Sequence, residues 1–589
     1  MPRLRGRPSV GGICSLALHT LSMRPHYAFW PRRLPHALTI PAVSLWDNLA
    51  TSARRYPHKP GLIYFGRRIA YGEMAETAER LAAHLHACGV RKGDRVILLM
   101  QNMPQLVMAH FAILRANAVV VPVNPMNLAE ELKHYITDSD VKVAITTADL
   151  APELAKASNA LPASQQLAHL VVTQLSDYIP EGDAREPMPE SWQQWLLPQR
   201  ELPVLEGGQT HHWRDTMAVP TAQNPPPALE VGPDDMALLP YTSGTTGLPK
   251  GCIHLHRSIM HNAVAGTYWS MGNHEVVQLA VVPMFHVTGM ISMMHCSIWM
   301  GATLVLMPRW DRDVAGRLIS QYRVTNWTNI PTMVIDLLAS PHYRDYDLSS
   351  LRYISGGGAA MPQAVAQRLK EEFGLSYQEG YGLTETAAPS HANPPDRCKQ
   401  QCLGIPYVST ESMVVDPDTL QEVPQGETGE IVVHGPQVFQ GYWRNPAATQ
   451  AAFVEIGGKK FFRTGDLGRV DEEGFFFLTD RLKRMINASG FKVWPAEVEA
   501  LMYRHPAIQE ACIISTKDAY RGESVKAVVV LRPSHQGSVS EADIIAWCRE
   551  NMAVYKVPRK VQFVDALPKS GSGKVMWRVL QEQEAAQVP

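Results

Sequence analysis

The stretch Tyr241-Thr-Ser-Gly-Thr-Thr-Gly-Leu-Pro-Lys-Gly251 constrains the fold of this chain more than any other segment. Glycines let backbone N–H groups turn toward an anion, hydroxyls donate further hydrogen bonds, and a lysine adds positive charge. An apolar run from Met236 predicts a strand before the stretch, and a helical pattern begins at about His256. Strand, loop and helix in this order are typical of a phosphate cradle in an α/β protein. The expected phosphate-binding residues are Thr242, Ser243, Gly244, Thr245, Thr246, Gly247 and Lys250.

The same string also carries a family resemblance. It lacks the Walker pattern, since no Gly-x4-Gly-Lys-Ser/Thr can be laid on it, and its composition alone would also suit a flexible polar loop. As a string it resembles the phosphate loop of the adenylate-forming superfamily: acyl-CoA synthetases, luciferases and peptide-synthetase adenylation domains. The resemblance implies that ATP and Mg²⁺ bind, that an acyl-AMP intermediate forms, and that a small mobile domain follows a large one.

A second landmark, Tyr381-Gly-Leu-Thr-Glu385, lies about 140 residues further on. Alone it would be an ordinary turn, but it resembles the superfamily motif whose aromatic ring lies against adenine. Mg²⁺ prefers hard carboxylate and phosphate oxygens. The resemblance implies nucleotide contacts from Glu379, Gly380, Tyr381 and Gly382, catalytic roles for Thr384 and Glu385, and Mg²⁺ ligation by Glu385 and Thr246.

Further strings match the superfamily in order and spacing. Ser355-Gly-Gly-Gly-Ala359 follows a predicted strand at Leu351–Ile354, and the resemblance assigns adenine and substrate contacts to Gly358 and Ala359. Arg463-Thr-Gly-Asp466 resembles the motif whose aspartate grips the ribose hydroxyls. His286 corresponds to a residue beside the acyl carboxylate. Taken singly, Asp466 is explained more simply as a residue of a turn, and His286 as a residue of the core.

The C-terminal strings resemble the mobile part of the superfamily. In Asp480-Arg-Leu-Lys-Arg-Met-Ile486, Arg481 corresponds to a ribose or phosphate contact and Lys483 to the hinge. Gly490 corresponds to backbone lining the thioester-forming site, and Lys492 to a contact with coenzyme A phosphates. Lys574, in a second glycine-rich loop, corresponds to the catalytic lysine that offsets charge as a carboxylate attacks the α-phosphate.

Periodicity predicts an α/β fold with a β subregion and a small α+β C-terminal domain. Helices are expected at Leu45–Tyr56, Tyr71–Cys88 and Met103–Ala116, and strands at Arg95–Met100 and Val119–Val123. Residues 178–234 are rich in proline and predict a long surface excursion. The expected domains are a basic, disordered tail over 1–41, an adenylation domain over 42–479, a hinge over 480–484, and a C-terminal domain over 485–580.

Composition limits the function classes. The net charge of −1 gives no general attraction to nucleic acid, so no nucleic-acid partner is expected. The scattered cysteines show no zinc-like pairing beyond Cys398-x3-Cys402, which favours free thiols in a reducing cytoplasm over a structural metal. The uncharged run 276–308 is interrupted by proline, glycine and histidine, so no transmembrane segment is expected, although peripheral membrane contact and a homodimer remain open. The Arg-rich start is interpreted as a tail rather than a targeting segment.

The superfamily resemblance implies an AMP-forming acid–thiol ligase, for which we expect coenzyme A as acceptor and a medium- or long-chain fatty acid as substrate. The string from Asn487 to Glu499 looks most like bacterial fatty-acyl-CoA ligases. Methionines adapt to flexible chains. Either an acyl pocket or ordinary core packing explains the residues Met284, Met290, Met293, Met294, Trp299, Trp327 and Met333, which are the candidate acyl-pocket residues. An aryl-acid ligase, an enzyme that loads a carrier protein, and a non-catalytic nucleotide-binding relative are the alternatives.

Overall fold

A computed structural model describes residues 24–242, 248–358, 360–481, 484, 486–488, 491–493, 495–518, 522–569 and 575–587. Several predicted site residues therefore lie outside the described residues: Ser243, Gly244, Thr245, Thr246, Gly247, Ala359, Lys483, Gly490 and Lys574. Arg481 and Lys492 are described through their backbones.

The larger sheet of the N-terminal part has nine strands with a parallel centre. Parallel central strands need helical crossovers, which explains the alternation in the sequence. In spatial order the strands are Ile405–Pro406, Ala388–Ala392, Tyr377–Leu383, Tyr353–Gly357, Asn326–Asn329, Val277–Ala280, Thr303–Leu306, Pro60–Tyr64 and Arg67–Ala70. The strand predicted at Leu351–Ile354 begins later and runs through Gly357, so the glycine run was wrongly placed after the strand. These glycines pair with the neighbouring strands as part of the sheet.

A second sheet has seven strands, all parallel except at the edge next to the phosphate loop. Val119–Pro122 and Val143–Thr147 are buried along their whole length, as expected for strands covered on both faces. The spatial order is His254–Leu255, Met236–Leu238, Val119–Pro122, Arg95–Leu99, Val143–Thr147, His169–Thr173 and Gln209–His212. A separate hairpin pairs Tyr241–Thr242 with Lys250–Gly251.

The proline-rich segment 178–234 is more than the predicted surface excursion. It contributes the edge strand Gln209–His212, which pairs in parallel with His169–Thr173. It also forms two short helices, in which Trp192 and Trp213 are buried. The frequent prolines concealed these elements, because they weaken the local sequence pattern of a helix or strand. Burial of the two indole rings stabilises the elements despite that weak pattern.

Helices cover both sheets. The three helices predicted near the N-terminus are confirmed with shifts of at most one residue at their ends. In the N-terminal part the α-helices are Trp46–Arg55, Tyr71–Ala87, Pro104–Arg115, Ala129–Ser139, Ala151–Asn159, Glu190–Leu196, Trp213–Ala218, His256–Trp269, Cys296–Met300, Arg312–Tyr322, Pro331–Ala339, Gln363–Phe373 and Pro446–Ala451. Short 3₁₀ turns lie at Pro25–Phe29, Ala163–Gln165, Gly182–Ala184, Tyr343–Asp345 and Thr384–Thr386, and a π-helix at Thr288–His295.

The predicted β subregion forms a five-stranded antiparallel sheet. Its strands are Glu411–Val415, Gly429–His434, Lys459–Val470, Phe453–Ile456 and Phe476–Arg481. The C-terminal unit has its own five-stranded sheet and its own apolar core. Its strands are Ile486–Ala488, Phe491–Val493, Ile508–Asp518, Gly522–Leu531 and Lys560–Phe563, and its helices are Pro495–Met502, Pro533–His535 (3₁₀), Glu541–Asn551 and Trp577–Gln587. The α/β class with a small α+β unit is confirmed.

The described part of the predicted tail is ordered by packing. Residues from Arg24 onward lie against the body of the protein: the Trp30 ring meets Trp269 edge-on at 5.5 Å, and Phe29 meets Phe475 at 5.4 Å. The prediction of disorder up to residue 41 is therefore wrong from Arg24 onward, because these aromatic rings gain burial. Within the described residues, no helix combines the length and the apolarity needed to cross a bilayer.

Candidate active site

Two adjacent parallel strands bring the glycine run and the Tyr381 motif to the same edge of the nine-stranded sheet. Gly357 is the Cα partner of Gly380, so Gly358 and Tyr381 emerge side by side at the carboxyl end. Gly358 has φ = +85°, a left-handed conformation that favours glycine. Ligand sites in open α/β sheets form at carboxyl ends of this kind.

The hairpin Tyr241–Thr242/Lys250–Gly251 closes the phosphate loop at its base. The Cα atoms of Thr242 and Lys250 are register partners, so the two described ends of the loop stand side by side. Tyr241 Oη donates to Asp138 Oδ2 at 2.6 Å, and His134 Nε2 donates to the carbonyl of Pro249 at 2.7 Å. Both anchors hold the hairpin to the helix Ala129–Ser139.

Tyr442 connects the hairpin with the predicted metal ligand. Lys250 Nζ lies 4.6 Å from the centre of the Tyr442 ring, and Tyr442 Oη donates to Glu385 Oε1 at 2.8 Å. Burial, and then the Glu385 charge, raise the pKa of Tyr442 far above its usual value, so the phenol remains a donor. Sequence reasoning missed Tyr442; the signal available was its place in the aromatic run Phe439-Gln-Gly-Tyr442.

Two further contacts fix the backbone around Thr384 and Glu385. His254 Nε2 donates to the carbonyl of Thr384 at 2.7 Å, and the N–H of Phe439 donates to the carbonyl of Glu385 at 2.8 Å. Burial lowers the pKa of His254 to about 4, so the ring is neutral at pH 7 and serves as a positioning group. Sequence reasoning missed this histidine as well.

The predicted adenine and ribose contacts bind each other directly. Tyr381 Oη donates to Asp466 Oδ2 at 2.6 Å, and the Asp466 side chain is 2 % exposed. The Asp466 backbone N–H donates to Thr464 Oγ1, and Arg481 is its Cα partner on the neighbouring strand. The β subregion thus delivers a carboxylate to the edge where Tyr381 emerges.

The side chain of Glu379, a predicted nucleotide contact, is bound by the loops around the glycine run. Its buried carboxylate accepts hydrogen bonds from the backbone N–H groups of Met361 at 2.8 Å and Gln401 at 2.6 Å. Burial raises the pKa of Glu379, and these backbone donors oppose the rise. The side chain therefore organises the loop after the glycine run, while its backbone stays beside Gly380.

His286 stands at the start of the segment that carries the candidate acyl pocket. It is half-buried, and its ring lies 4.6 Å from that of Phe285. The π-helix Thr288–His295 follows and packs against Ala388–Ala392, the strand next to the Tyr381 motif. π-helical turns are rare and frequently mark functional sites.

Most of the candidate acyl-pocket residues are buried in the main core. Met284, Met290, Met293, Met294, Trp327 and Met333 are each at most 8 % exposed, and Trp299 packs against them partly buried. Met284 is held by its backbone N–H, which donates to Asn102 Oδ1 at 2.8 Å. These residues therefore belong to the hydrophobic core, and Met284 and Met290 flank His286 along the chain.

The chemistry of the described donors suits a magnesium nucleotide. Glu385 supplies hard carboxylate oxygens, and Lys250 supplies a positive charge at the base of the loop. Asp466 can accept from vicinal hydroxyls, and Tyr381 offers an aromatic ring next to it. Around one sheet edge the arrangement groups the residues predicted to contact base, ribose, metal and phosphate: Tyr381, Asp466, Glu385 and Lys250.

Comparisons with known proteins agree with this grouping. Residues 49–443 match the family model described as AMP-binding enzyme, and residues 497–574 match the AMP-binding enzyme C-terminal domain. The long-chain-fatty-acid–CoA ligase of Bacillus subtilis (strain 168) is 35 % identical over 96 % of this chain and 98 % of its own. A feruloyl-CoA synthase of Amycolatopsis sp is 35 % identical over 89 % of this chain and 96 % of its own. The ATP-bound MatB structure from Rhodopseudomonas palustris has a TM-score of 0.77 and 26 % identity, and covers 92 % of this chain and 99 % of that one.

Proposed function

The chain belongs to the AMP-binding enzyme family and is an AMP-forming acid–CoA ligase; from this premise we propose that its acid substrate is a long-chain fatty acid. The observation that carries the proposal is the B. subtilis relative, which matches this chain over 96 % of its length. The buried methionines beside His286 support it, because unbranched thioether side chains can repack around a flexible acyl chain.

In the first half-reaction, the acid carboxylate attacks the α-phosphorus of ATP and pyrophosphate leaves. Tyr381 and Asp466 hold the adenosine, and the loop that runs from Thr242 to Lys250 holds the phosphates. Thr384 and Lys574 stabilise charge on the α-phosphate. Bound at Glu385 and Thr246, Mg²⁺ would neutralise phosphate charge. His286 orients the acid carboxylate, and Tyr442 orients Glu385.

In the second half-reaction, the thiol of coenzyme A attacks the acyl-AMP carbonyl and AMP leaves. We propose a hinge at 480–484 between an adenylation domain at 42–479 and a mobile domain at 485–580. Arg481 and Lys483 belong to the hinge, while Gly490 and Lys492 line the thiol path. The separate core of the C-terminal unit supports movement as one body.

The test is a panel of carboxylic acids of increasing chain length, together with ferulate and benzoate, each with ATP, Mg²⁺ and coenzyme A. Pyrophosphate release and product mass are measured. We expect the highest kcat/KM with a long-chain acid and a product whose mass is that of the acyl-CoA. Higher kcat/KM with ferulate would instead support the aryl-acid alternative, which the Amycolatopsis relative favours equally by identity.

Two further outcomes separate the remaining alternatives. Acid-dependent pyrophosphate release without discharge to coenzyme A would indicate a carrier protein as acceptor. Absence of acid-dependent pyrophosphate release across the panel would indicate a non-catalytic relative. We also propose a cytoplasmic location, since the seven described cysteines are free thiols, as expected in a reducing compartment.

A further inference from the structure

A cluster of histidines and one cysteine lies outside the nucleotide site, at the free edge of the seven-stranded sheet. His84 and Cys88 are one turn apart at the end of the helix Tyr71–Ala87. His211 lies on the edge strand Gln209–His212, and His169 on the strand next to it. All four side chains are half-buried.

The donor atoms of this cluster converge. Cys88 Sγ lies 3.4 Å from His84 Nε2 and 4.0 Å from His211 Nε2. One donor atom from each of His84, Cys88 and His211 lies within 4.8 Å of the donor atoms of the other two residues. His169 Nδ1 stands 3.0 Å from the same His211 Nε2.

These separations fit a tetrahedral metal. Two donors bound at about 2.0–2.3 Å from a tetrahedral centre lie roughly 3.3–3.6 Å apart. The two Cys88 pairs at 3.4 and 4.0 Å lie close to that range, so small side-chain rotations bring the donors of His84, Cys88 and His211 onto one ion. An oxygen-free set of imidazoles and a thiolate suits Zn²⁺ and disfavours Mg²⁺.

We propose that His84, Cys88 and His211 form a Zn²⁺ site, and that His169, whose Nδ1 lies 3.0 Å from His211 Nε2, turns its side chain toward the ion to become the fourth ligand. On binding, the Cys88 thiol loses its proton to the solvent, and the thiolate and the neutral imidazoles donate their electron pairs to the ion. The site is structural, because protein groups fill four positions and leave no open coordination position for a substrate.

The location indicates what the ion holds together. The ligands come from a helix near the N-terminus and from two strands more than 80 residues later. The edge strand Gln209–His212 belongs to the proline-rich segment and has a pairing partner on one side within the described sheet. A metal crosslink at this place fastens that strand to the helix Tyr71–Ala87.

The sequence contained a signal that cysteine pairing alone does not reveal. His84-x3-Cys88 has the spacing that places two ligands on the same face of a helix. The other two histidines lie on adjacent parallel strands, and the Cα partner of His169 is Gln209, two residues before His211. Side chains separated by two residues share a face, so the sheet directs both imidazoles toward the helix.

The first test uses the full chain stripped with a chelator and dialysed. Zn²⁺ is titrated against a competing chromophoric chelator, and bound metal is counted by mass spectrometry. We expect about one tightly bound Zn²⁺ per chain. Cys88→Ala and His211→Ala should each weaken binding by more than about 100-fold, since even outer-shell changes cost about 10- to 100-fold. His169→Ala should weaken it less than either.

His86→Ala is the matched control, because His86 lies on the same helix between the two ligands and contacts Arg91 instead. It should bind Zn²⁺ as the unaltered chain does. Equal affinity in the Cys88→Ala variant, or no tight site in the unaltered chain, would overturn the proposal.

The second test needs no variant and so does not depend on the folding of mutants. Co²⁺ is added to the stripped, unaltered chain, and the visible and near-ultraviolet spectrum is recorded. Intense tetrahedral bands with a thiolate-to-metal charge-transfer band are expected, and Zn²⁺ should abolish them. A weak octahedral spectrum would refute the proposal. Metal addition should also raise the thermal midpoint of the stripped protein, with Mg²⁺ unable to replace Zn²⁺.

Discussion

Tyr442 Oη donates a hydrogen bond of 2.8 Å to Glu385 Oε1, while the Tyr442 ring lies under the ammonium group of Lys250. One side chain thereby couples the base of the phosphate loop to the carboxylate proposed to hold Mg²⁺. The contact joins residues 57 positions apart. It makes Tyr442 a positioning residue whose effect should appear through Glu385.

Replacing Tyr442 by Phe should lower kcat/KM for ATP roughly tenfold to a hundredfold. A hydrogen bond to a charged group contributes about 1.5–3 kcal/mol, and its loss leaves Glu385 less well oriented. Glu385→Gln should lower acid-dependent pyrophosphate release more strongly, because it removes the charged metal ligand. Tyr268→Phe, at an exposed tyrosine, serves as the control. Tyr442→Phe activity equal to that of Tyr268→Phe would exclude the coupling.

Gly382→Ala should destabilise the Tyr381 motif, whereas Gly380→Ala should be tolerated. A Cβ at Gly382 would stand 1.8 Å from the carbonyl oxygen of Ala388, but one at Gly380 would stand 3.5 Å from the carbonyl oxygen of His391. Overpacking of this kind costs about 1–3 kcal/mol. Urea denaturation of both variants measures the difference. Equal urea midpoints for the two variants would mean that the strands Tyr377–Leu383 and Ala388–Ala392 move apart to accommodate the added Cβ at no cost in stability.

Lys574→Ala should cripple acyl-AMP formation yet spare the conversion of supplied acyl-AMP to acyl-CoA. One preorganised contact to developing charge contributes about 2.7–4 kcal/mol, or roughly a hundred- to a thousand-fold in rate. Gly490→Leu should show the opposite pattern, since a side chain there obstructs the thiol. Both positions lie outside the described residues, and the prediction comes from the sequence. Equal losses in both half-reactions for both variants would contradict two alternating domain positions.

Stability should decline as the pH falls below about 6.5. Burial lowers the pKa of His254, His256 and His261 to about 4 and that of His391 to about 3. The unfolded chain takes up these protons first, so the stabilisation is complete above about pH 6.5 and is lost toward pH 4. For each of these rings, the free energy of unfolding is about 2 kcal/mol lower at pH 5 than above pH 6.5.

Urea denaturation at about pH 7.5 and pH 5 measures this loss. His391→Gln removes one of the titrating rings, so its stability should change less with pH than that of the unaltered chain. Equal stability at the two pH values would show that folding does not lower the pKa of these rings.

Deleting residues 1–22 should leave active enzyme, because that segment offers no periodic apolar face. Deleting residues 1–41 should lower the thermal midpoint, because it removes the contacts of Trp30 with Trp269 and Phe29 with Phe475. Aromatic pairs contribute about 0.5–1.5 kcal/mol each beyond their burial. The shorter deletion is the control for the longer one. Identical midpoints would show that the aromatic contacts are dispensable.

The sequence by itself determined the α/β class, most helices and strands near the N-terminus, and the segments that form the site. These follow from short-range patterns: apolar periodicity fixes an element, and Gly/Ser/Thr strings fix loops that can approach phosphate. Tyr381, Glu385 and Asp466 could be named because each lies in a compact string that resembles a motif of the adenylate-forming superfamily. The Glu541–Asn551 helix begins at a capping box formed by Ser540 and Asp543, which is also a short-range pattern.

Only the tertiary structure decided which of these residues meet. The contacts of Tyr442 with Glu385 and of Tyr381 with Asp466 depend on the order and register of strands that are distant in the chain. Glu379 was assigned to nucleotide but its carboxylate binds Met361 and Gln401, and the proline-rich segment supplies an edge strand with His211. No short-range pattern encodes these pairings, because their free energy comes from burial and hydrogen bonds formed when distant segments pack together.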